Sequence, residues 1–142
     1  MGDKINLALI GAGHWGKNLA RVFHELGILK TICESSKEIL LKEAAKYPKI
    51  KTTSSFAEVL ASPDINAMAI APPAEQHYSL AKKSLLADKH VFVEKPLSMT
   101  AQEGEDLVQI AKRQEKVLFV GHILQYHAAV QTVKRIIQEG EL

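Results

Sequence analysis

Two short segments of this chain carry residue types whose chemistry would fit together. The first follows an apolar run, leads into a helical pattern, and consists of Gly11-Ala12-Gly13-His14-Trp15-Gly16. A glycine-rich turn between a strand and a helix offers bare backbone N–H groups to a pyrophosphate. The second, Glu94-Lys95-Pro96, directly follows the apolar run His90–Val93. A lysine at the carboxyl end of a parallel strand faces the crevice where such sheets bind ligands, so the pair predicts a nicotinamide-dependent oxidoreductase.

Each glycine of the first segment has its own expected task. Gly11 permits the tight turn, Gly13 lets the backbone approach a pyrophosphate, and Gly16 lets the helix pack closely on the strand. The same pattern also occurs for purely structural reasons. Between the glycines, Trp15 is expected either to pack the helix against neighbouring loops or to line the pyrophosphate or nicotinamide channel.

An acidic residue stands where a ribose ligand is expected. Glu34 comes at the end of the second apolar run, about 20 residues after the glycine turn, where a carboxylate can accept hydrogen bonds from the adenosine ribose hydroxyls. The alternative is a solvated acid at a strand end. A carboxylate there repels a 2′-phosphate, which favours NAD over NADP, although Lys37 works against that preference.

In the second segment, Pro96 is expected to restrict the backbone conformation of Lys95. Pro96 removes a hydrogen-bond donor and biases Lys95 toward an extended conformation, so the strand ends and the lysine leaves in a defined direction. Near a carbonyl or alcohol carbon, such a lysine can polarise the oxygen or assist proton transfer. The alternative is a surface lysine before a turn.

Strand-length apolar runs alternate with segments of helical period along the whole chain. This alternation predicts an α/β fold of the Rossmann type, a doubly wound parallel sheet of about six strands with helices on both faces. Ser36 is expected to cap the second helix, Thr100 and Glu103 to form a capping box, and helices to stop at Gly27 and Gly140. The predicted strands are Lys4–Ile10, Leu29–Cys33, Ile50–Thr52, Ala67–Ala71, His90–Val93 and Val117–Val120. The predicted helices are His14–Leu26, Lys37–Lys46, Ser55–Ala61, Gln76–Ala87, Ala101–Gln114 and Ala128–Gln138.

Length and composition indicate one globular domain, residues 1–142, in the cytoplasm. The chain is 46% hydrophobic and 24% charged with a net charge of +2, which gives no electrostatic case for nucleic acid. No apolar run is long enough to span a bilayer, and no secretory signal is apparent. The one cysteine, Cys33, excludes an intramolecular disulfide and a cysteine-rich zinc site, and the histidines lack ligand spacing, so no metal is expected.

These motifs together resemble the glucose–fructose oxidoreductase/inositol dehydrogenase/MocA-like oxidoreductases. The resemblance covers essentially the whole chain. It includes the glycine turn, the acid after the second strand, and three further segments: Ala71-Pro72-Pro73-Ala74-Glu75-Gln76-His77, Lys89-His90-Val91-Phe92-Val93-Glu94-Lys95-Pro96, and Val120-Gly121-His122.

The resemblance implies an N-terminal Rossmann domain that binds NAD or, less readily here, NADP. It places Lys95 beside the nicotinamide and the substrate as the catalytic residue, and the loop with Pro73 along the cofactor. His77 either contacts the cofactor or orients that loop. The implied cofactor-binding residues are Gly11, Ala12, Gly13, His14, Trp15, Gly16, Glu34, Ser35, Ala71, Pro72, Pro73, His77, Glu94, Lys95 and Pro96.

The implied reaction is hydride transfer between NAD and a secondary alcohol of a sugar, sugar nucleotide or cyclitol. The segments around His14-Trp15 and Gly121-His122 most resemble members that act on nucleotide-activated amino sugars. Pro72 replaces the family's usual Thr, and Gln125 and Ala128 stand where many relatives have Arg and Pro. Family members also continue into a second α/β domain with most substrate contacts and the dimer interface, so a homo-oligomer is expected only if that domain is present.

Two other functions fit parts of the pattern. A free-standing NAD-binding or redox-sensing module without catalysis would need only the glycine turn and Glu34. An S-adenosylmethionine methyltransferase shares a glycine turn and an acid, but it has no use for the spacing of Gly16 or for Glu94-Lys95-Pro96.

Overall fold

The computed structural model describes residues 4–141, so residues 1–3 and 142 of the expected domain lie outside the described residues. Its six parallel strands form one sheet in the order β3-β2-β1-β4-β5-β6, which is the predicted doubly wound Rossmann arrangement. The strands are β1 (Leu7–Ile10), β2 (Leu29–Cys33), β3 (Lys51–Thr53), β4 (Ala67–Ile70), β5 (His90–Val93) and β6 (Leu118–Val120). The helices are α1 (Gly16–Glu25), α2 (Lys37–Lys46), α3 (Phe56–Ala61), α4 (His77–Leu86), α5 (Ala101–Arg113) and α6 (Ala128–Gln138). Two 3-10 turns, Ala74–Gln76 and Ile123–Tyr126, precede α4 and α6.

Several predicted boundaries are too wide. The first strand was expected from Lys4 but begins at Leu7, because Lys4 and Ile5 are exposed and the Asn6 N–H donates to the Asn66 side chain instead of to a strand. The fourth strand ends at Ile70, one residue before the expected Ala71. The third strand has the expected length but is shifted by one residue, to Lys51–Thr53 from the expected Ile50–Thr52. The first helix was expected from His14 but begins at Gly16, after a turn that contains His14.

Local capping explains why several helices begin and end where they do. Ser36 Oγ accepts from the Ile39 N–H at 3.4 Å, and Thr100 with Glu103 forms the expected capping box. Past the helix ends, Gly27 and Gly140 adopt φ angles of +72° and +75°, a conformation that glycine accepts without a Cβ penalty. The predicted caps and stops are therefore confirmed.

Two apolar layers hold helices against the two faces of the sheet. On one face, Leu9 and Ile32 pack with Ala20 of α1. On the other face, the strands pack against α3, α4 and α5 through residues such as Leu85 and Leu107. Each of the large side chains buried here contributes about 1.5–3 kcal/mol relative to an exposed position. Both faces of β1 and β4 are thereby covered, and the carboxyl ends of these two central strands lie together at one end of the sheet. Within residues 4–141, no helix is long and apolar enough to cross a membrane.

Candidate functional site

The glycine turn connects β1 to α1 at the point where the strand order reverses. Gly11 has φ +85°, and a Cβ there would lie 2.7 Å from Pro72 N. A Cβ on Gly16 would lie 2.0 Å from the carbonyl oxygen of Gly11. These two glycines are therefore required by close backbone approach. A Cβ on Gly13 would meet nothing within 4 Å, so the middle glycine borders open space.

The N-terminus of α1 faces this open space without a side-chain cap. Its N-cap residue is Trp15, which makes no side-chain capping hydrogen bond, whereas α2, α3 and α5 begin at serine or threonine caps. The Lys17 and Asn18 N–H groups donate to the Gly13 and Trp15 oxygens, whereas the N–H groups that precede the helix, from Gly13 to Trp15, have no acceptor among the described residues. Such unpaired N–H groups at the positive end of a helix dipole favour a bound anion. The turn thus has the geometry and the electrostatics of a phosphate site.

Glu34 ties the glycine turn to the end of β2. Its Oε2 accepts from the Ala12 N–H at 2.8 Å, and its Oε1 accepts from the Ser36 N–H at 2.8 Å and from Ser35 Oγ at 3.2 Å. The residue is only 8% exposed, so it is not the solvated acid of the alternative interpretation. A carboxylate has about four acceptor positions, which leaves room for a further donor. The Ala12 amide, in contrast, is already used within the protein.

Two cavities meet at the glycine turn. The first, the Glu34 cavity, has a volume of about 530 Å³ and is lined by Gly13, Glu34 and Ser35 among others. The second, the Lys95 cavity, has a volume of about 380 Å³ and includes Glu94 and Lys95 in its lining. The two cavities share four lining residues: His14, Trp15, Ala71 and Pro72. Most of the predicted site residues thus line one or both of these cavities, whereas Ala12, Gly16 and Pro96 line neither.

A third cavity adjoins the second on the side of β6. This Gln125 cavity has a volume of about 310 Å³ and shares Lys95, Gly121 and Ile123 with the Lys95 cavity. Lys95 is exposed, and within residues 4–141 no carboxylate oxygen forms an ion pair with it. Its ammonium group is therefore available to a ligand in either cavity.

The Trp15 side chain links the two motifs that the sequence singled out. Its Nε1 donates to Glu94 Oε1 at 2.8 Å, although 79 positions separate the two residues. Trp15 is 42% exposed and lines both the Glu34 and the Lys95 cavities. The side chain thus contacts the segment after β5 and also lines both cavities, and its place beside a pyrophosphate or nicotinamide stays a prediction.

His77 connects the loop after β4 with the loop after β5. The ring is 2% exposed, with Nδ1 2.6 Å from the Pro96 oxygen and Nε2 2.9 Å from the Pro72 oxygen. These contacts favour the loop-orienting interpretation, although the residue also lines the Lys95 cavity. Because Pro96 follows Lys95 directly, the histidine holds the backbone next to the lysine.

One contributor to the site was not among the predicted site residues. A Cβ on Gly121 would lie 3.1 Å from Glu94 Oε1, so a larger residue at this position would crowd the carboxylate. Its sequence signals were its place directly after the last predicted strand and its membership of the Val120-Gly121-His122 segment that resembles the family.

Cys33 lines the Glu34 cavity, but its thiol is unreactive near neutral pH. Burial and the charges of Glu34 and Glu58 raise the pKa of its thiol to about 11, so the thiol stays protonated near neutral pH. Within residues 4–141, no cluster of three or more His, Cys, Asp or Glu side chains is placed to hold a metal ion. The Cys33 thiol is therefore not expected to act as a nucleophile near neutral pH.

Comparison with known proteins assigns the chain to one family. Residues 5–122 match the family described as "Oxidoreductase family, NAD-binding Rossmann fold", whose short name is GFO_IDH_MocA. The resemblance found in the sequence motifs is thereby confirmed. The match includes the glycine turn, Glu34, His77 and Glu94-Lys95-Pro96.

Similar proteins include two curated dehydrogenases. The UDP-N-acetylglucosamine 3-dehydrogenase of Acidithiobacillus ferrooxidans is 27% identical over 127 residues, 89% of this chain and 40% of that protein. The scyllo-inositol 2-dehydrogenase (NADP(+)) of Bacillus subtilis is 28% identical over 144 residues, 99% of this chain and 39% of that protein. The chain thus spans about two fifths of the length of these relatives.

A solved structure shows the same arrangement of the chain. The WlbA dehydrogenase from Bordetella pertussis, in complex with NADH and UDP-GlcNAcA, superposes with a TM-score of 0.89 at 28% identity. The match covers 99% of this chain and 42% of that one.

Proposed function

The chain belongs to the oxidoreductase family with an NAD-binding Rossmann fold, and on that premise we propose that it forms the cofactor-binding part of an enzyme. That enzyme transfers a hydride between NAD and a secondary alcohol of a sugar, sugar nucleotide or cyclitol. The observation that carries the proposal is the pair of cavities joined at the glycine turn, one with Glu34 and the other with Lys95. A dinucleotide suits this arrangement because it consists of two halves joined by a pyrophosphate.

The residues present fit such a ligand. The open space beside Gly13 and the uncapped start of α1 would receive the pyrophosphate. Glu34 would accept a hydrogen bond from the adenosine ribose in the Glu34 cavity. The nicotinamide half would occupy the Lys95 cavity, along the loop that contains Ala71 and Pro72.

We assign NAD as the preferred cofactor on the charge of Glu34. A buried carboxylate at the ribose position would repel the negative charge of a 2′-phosphate. Lys37 at the start of α2 is exposed and reduces this discrimination only weakly, because its charge is screened by water. The curated relative that uses NADP(+) makes this assignment a point for direct measurement.

Lys95 would act on the reacting oxygen of the substrate. The nicotinamide, when bound, supplies the hydride chemistry. The ammonium group of Lys95 can donate a hydrogen bond to that oxygen and stabilise negative charge that develops on it. Because Lys95 lines both the Lys95 and the Gln125 cavities, we place the substrate in the Gln125 cavity. The named activities of the two curated relatives support an alcohol of a sugar nucleotide or cyclitol.

We further propose that the protein acts in the cytoplasm on a small-molecule substrate. A dimer would depend on a further domain of the kind described for the family, because the substrate contacts and the subunit interface are expected there. No role in nucleic-acid binding is proposed, since the net charge is only +2.

Tryptophan fluorescence tests the cofactor assignment. Trp15 is the one tryptophan of the chain and lines both cavities. Titration with NADH should give a saturable change at lower concentration than titration with NADPH. A signal that does not saturate with either coenzyme would contradict the proposal. If the complete enzyme binds NADH but oxidises no polyol or sugar nucleotide, a redox-sensing module becomes the better explanation.

A further inference from the structure

A buried carboxylate without a cationic partner lines the Lys95 cavity. Glu94 is 8% exposed, and the hydrogen bond from Trp15 Nε1 is the contact that holds it. Within residues 4–141, no lysine, arginine or histidine nitrogen lies within 4.0 Å of its oxygens. A buried negative charge with so little compensation favours positive charge in the space beside it.

The surroundings keep this carboxylate in place. Trp15 holds Oε1 from one side, and a Cβ on Gly121 would lie 3.1 Å from the same oxygen on the other side. Glu94 is the one carboxylate that lines the cavity. The other titratable residues in the lining are His14, His77 and Lys95.

None of these residues neutralises Glu94 directly. The ring nitrogens of His77 face the carbonyl oxygens of Pro72 and Pro96. His14 and Lys95 are exposed, so water screens their charge more strongly than that of the buried carboxylate. The Glu94 carboxylate therefore forms no ion pair with the other titratable residues of the described lining.

We propose that Glu94 makes this site discriminate between the two redox forms of its cofactor, by binding the oxidised form more tightly than it would without that charge. The inference rests on the proposed function, which puts the nicotinamide half in the Lys95 cavity. The oxidised ring is a cation, and uptake of a hydride (two electrons and one proton) leaves it neutral. A negative charge nearby stabilises only the cation, so the bound reduced cofactor becomes a stronger hydride donor.

The test compares dissociation constants for NAD⁺ and NADH, measured by calorimetry on correctly folded variants. Glu94→Gln keeps the shape and removes the charge, and it should lower the preference for NAD⁺ relative to NADH by about tenfold. Glu94→Asp keeps the charge and should retain most of that preference. Glu34→Gln is the matched control. It should weaken the binding of NAD⁺ and of NADH alike, because the adenosine half is the same in both.

A second variant covers the case in which Glu94→Gln does not fold. Ile123 lines the same cavity and is 54% exposed, so Ile123→Lys should fold and add a positive charge there. It should shift the NAD⁺ to NADH ratio in the same direction as Glu94→Gln. An unchanged ratio in the folded variants, with both coenzymes still bound, would overturn this inference and leave the proposed function standing. Failure of the unaltered protein to bind either coenzyme would instead refute the proposed function.

Discussion

The Ala12 backbone N–H donates a 2.8 Å hydrogen bond to Glu34 Oε2. This contact links the glycine turn to the end of β2, so the positions that we propose for the phosphates and for the ribose are set together. Glu34 is thus both a ligand candidate and a support for the turn. Any change at Glu34 is expected to affect binding through both roles.

Replacement of Glu34 tests the ribose assignment. Glu34→Ala should weaken NADH binding by about tenfold to a hundredfold, the range for loss of a hydrogen bond to a charged group. It should also narrow the preference for NADH over NADPH, because the repulsion of a 2′-phosphate is removed. Glu105→Ala removes the same charge from the exposed surface of α5, outside all three cavities, and serves as the control. Unchanged affinities for both coenzymes would remove Glu34 from the ribose site.

Replacement of Lys95 separates catalysis from binding. Lys95→Ala in the complete enzyme should reduce kcat by at least about a hundredfold, the usual contribution of a positioned proton donor or acceptor. NADH affinity should change little, because the pyrophosphate and ribose contacts are elsewhere. Lys112→Ala on the exposed side of α5 is the matched control. Near-normal turnover in Lys95→Ala would contradict the role proposed for the lysine.

His77 should prove to be a structural support of the site. His77→Leu loses the contacts to the oxygens of Pro72 and Pro96 and leaves both carbonyls without this partner. We expect the free energy of unfolding to fall by about 2–4 kcal/mol. Urea denaturation measures this change, with Gln109→Leu on the exposed side of α5 as the control, which should cost no more than about 0.5 kcal/mol. Equal stability of the two variants would mean that the His77 ring does not hold the loops together.

Sequence reasoning recovered the fold because it rests on local signals. Buried strands read as continuous apolar runs, and Thr100 with Glu103 marks a helix start within a few residues. The contact of Trp15 with Glu94 and that of His77 with Pro96 could not be read in this way. They join residues 79 and 19 positions apart, and only the packing of β1, β4 and β5 side by side brings them together. Strand ends were misjudged for a related reason: Lys4 and Ile5 continue the β1 pattern but have no neighbour to cover them.

The raised thiol pKa of Cys33 predicts a specific pH dependence of stability. Its pKa is about 11 in the folded chain against 9.0 for an unperturbed thiol, so between these values the folded state holds a proton that the unfolded state releases. The free energy of unfolding should therefore fall as the pH rises from about 9 to about 11. Comparison with Cys33→Ala isolates this contribution from that of other groups. Identical pH profiles for the two proteins would show that the thiol is not held protonated.

The central claim is that a pyrophosphate occupies the open space beside Gly13, and calorimetric titration of NADH into two proteins tests it most directly. A side chain at this position meets nothing within 4 Å, so Gly13→Val should unfold at nearly the same temperature as the unaltered protein. NADH should bind saturably to the unaltered protein and should fail to bind Gly13→Val. Equal affinity of both proteins, or no binding by the unaltered one, would show that no pyrophosphate lies there.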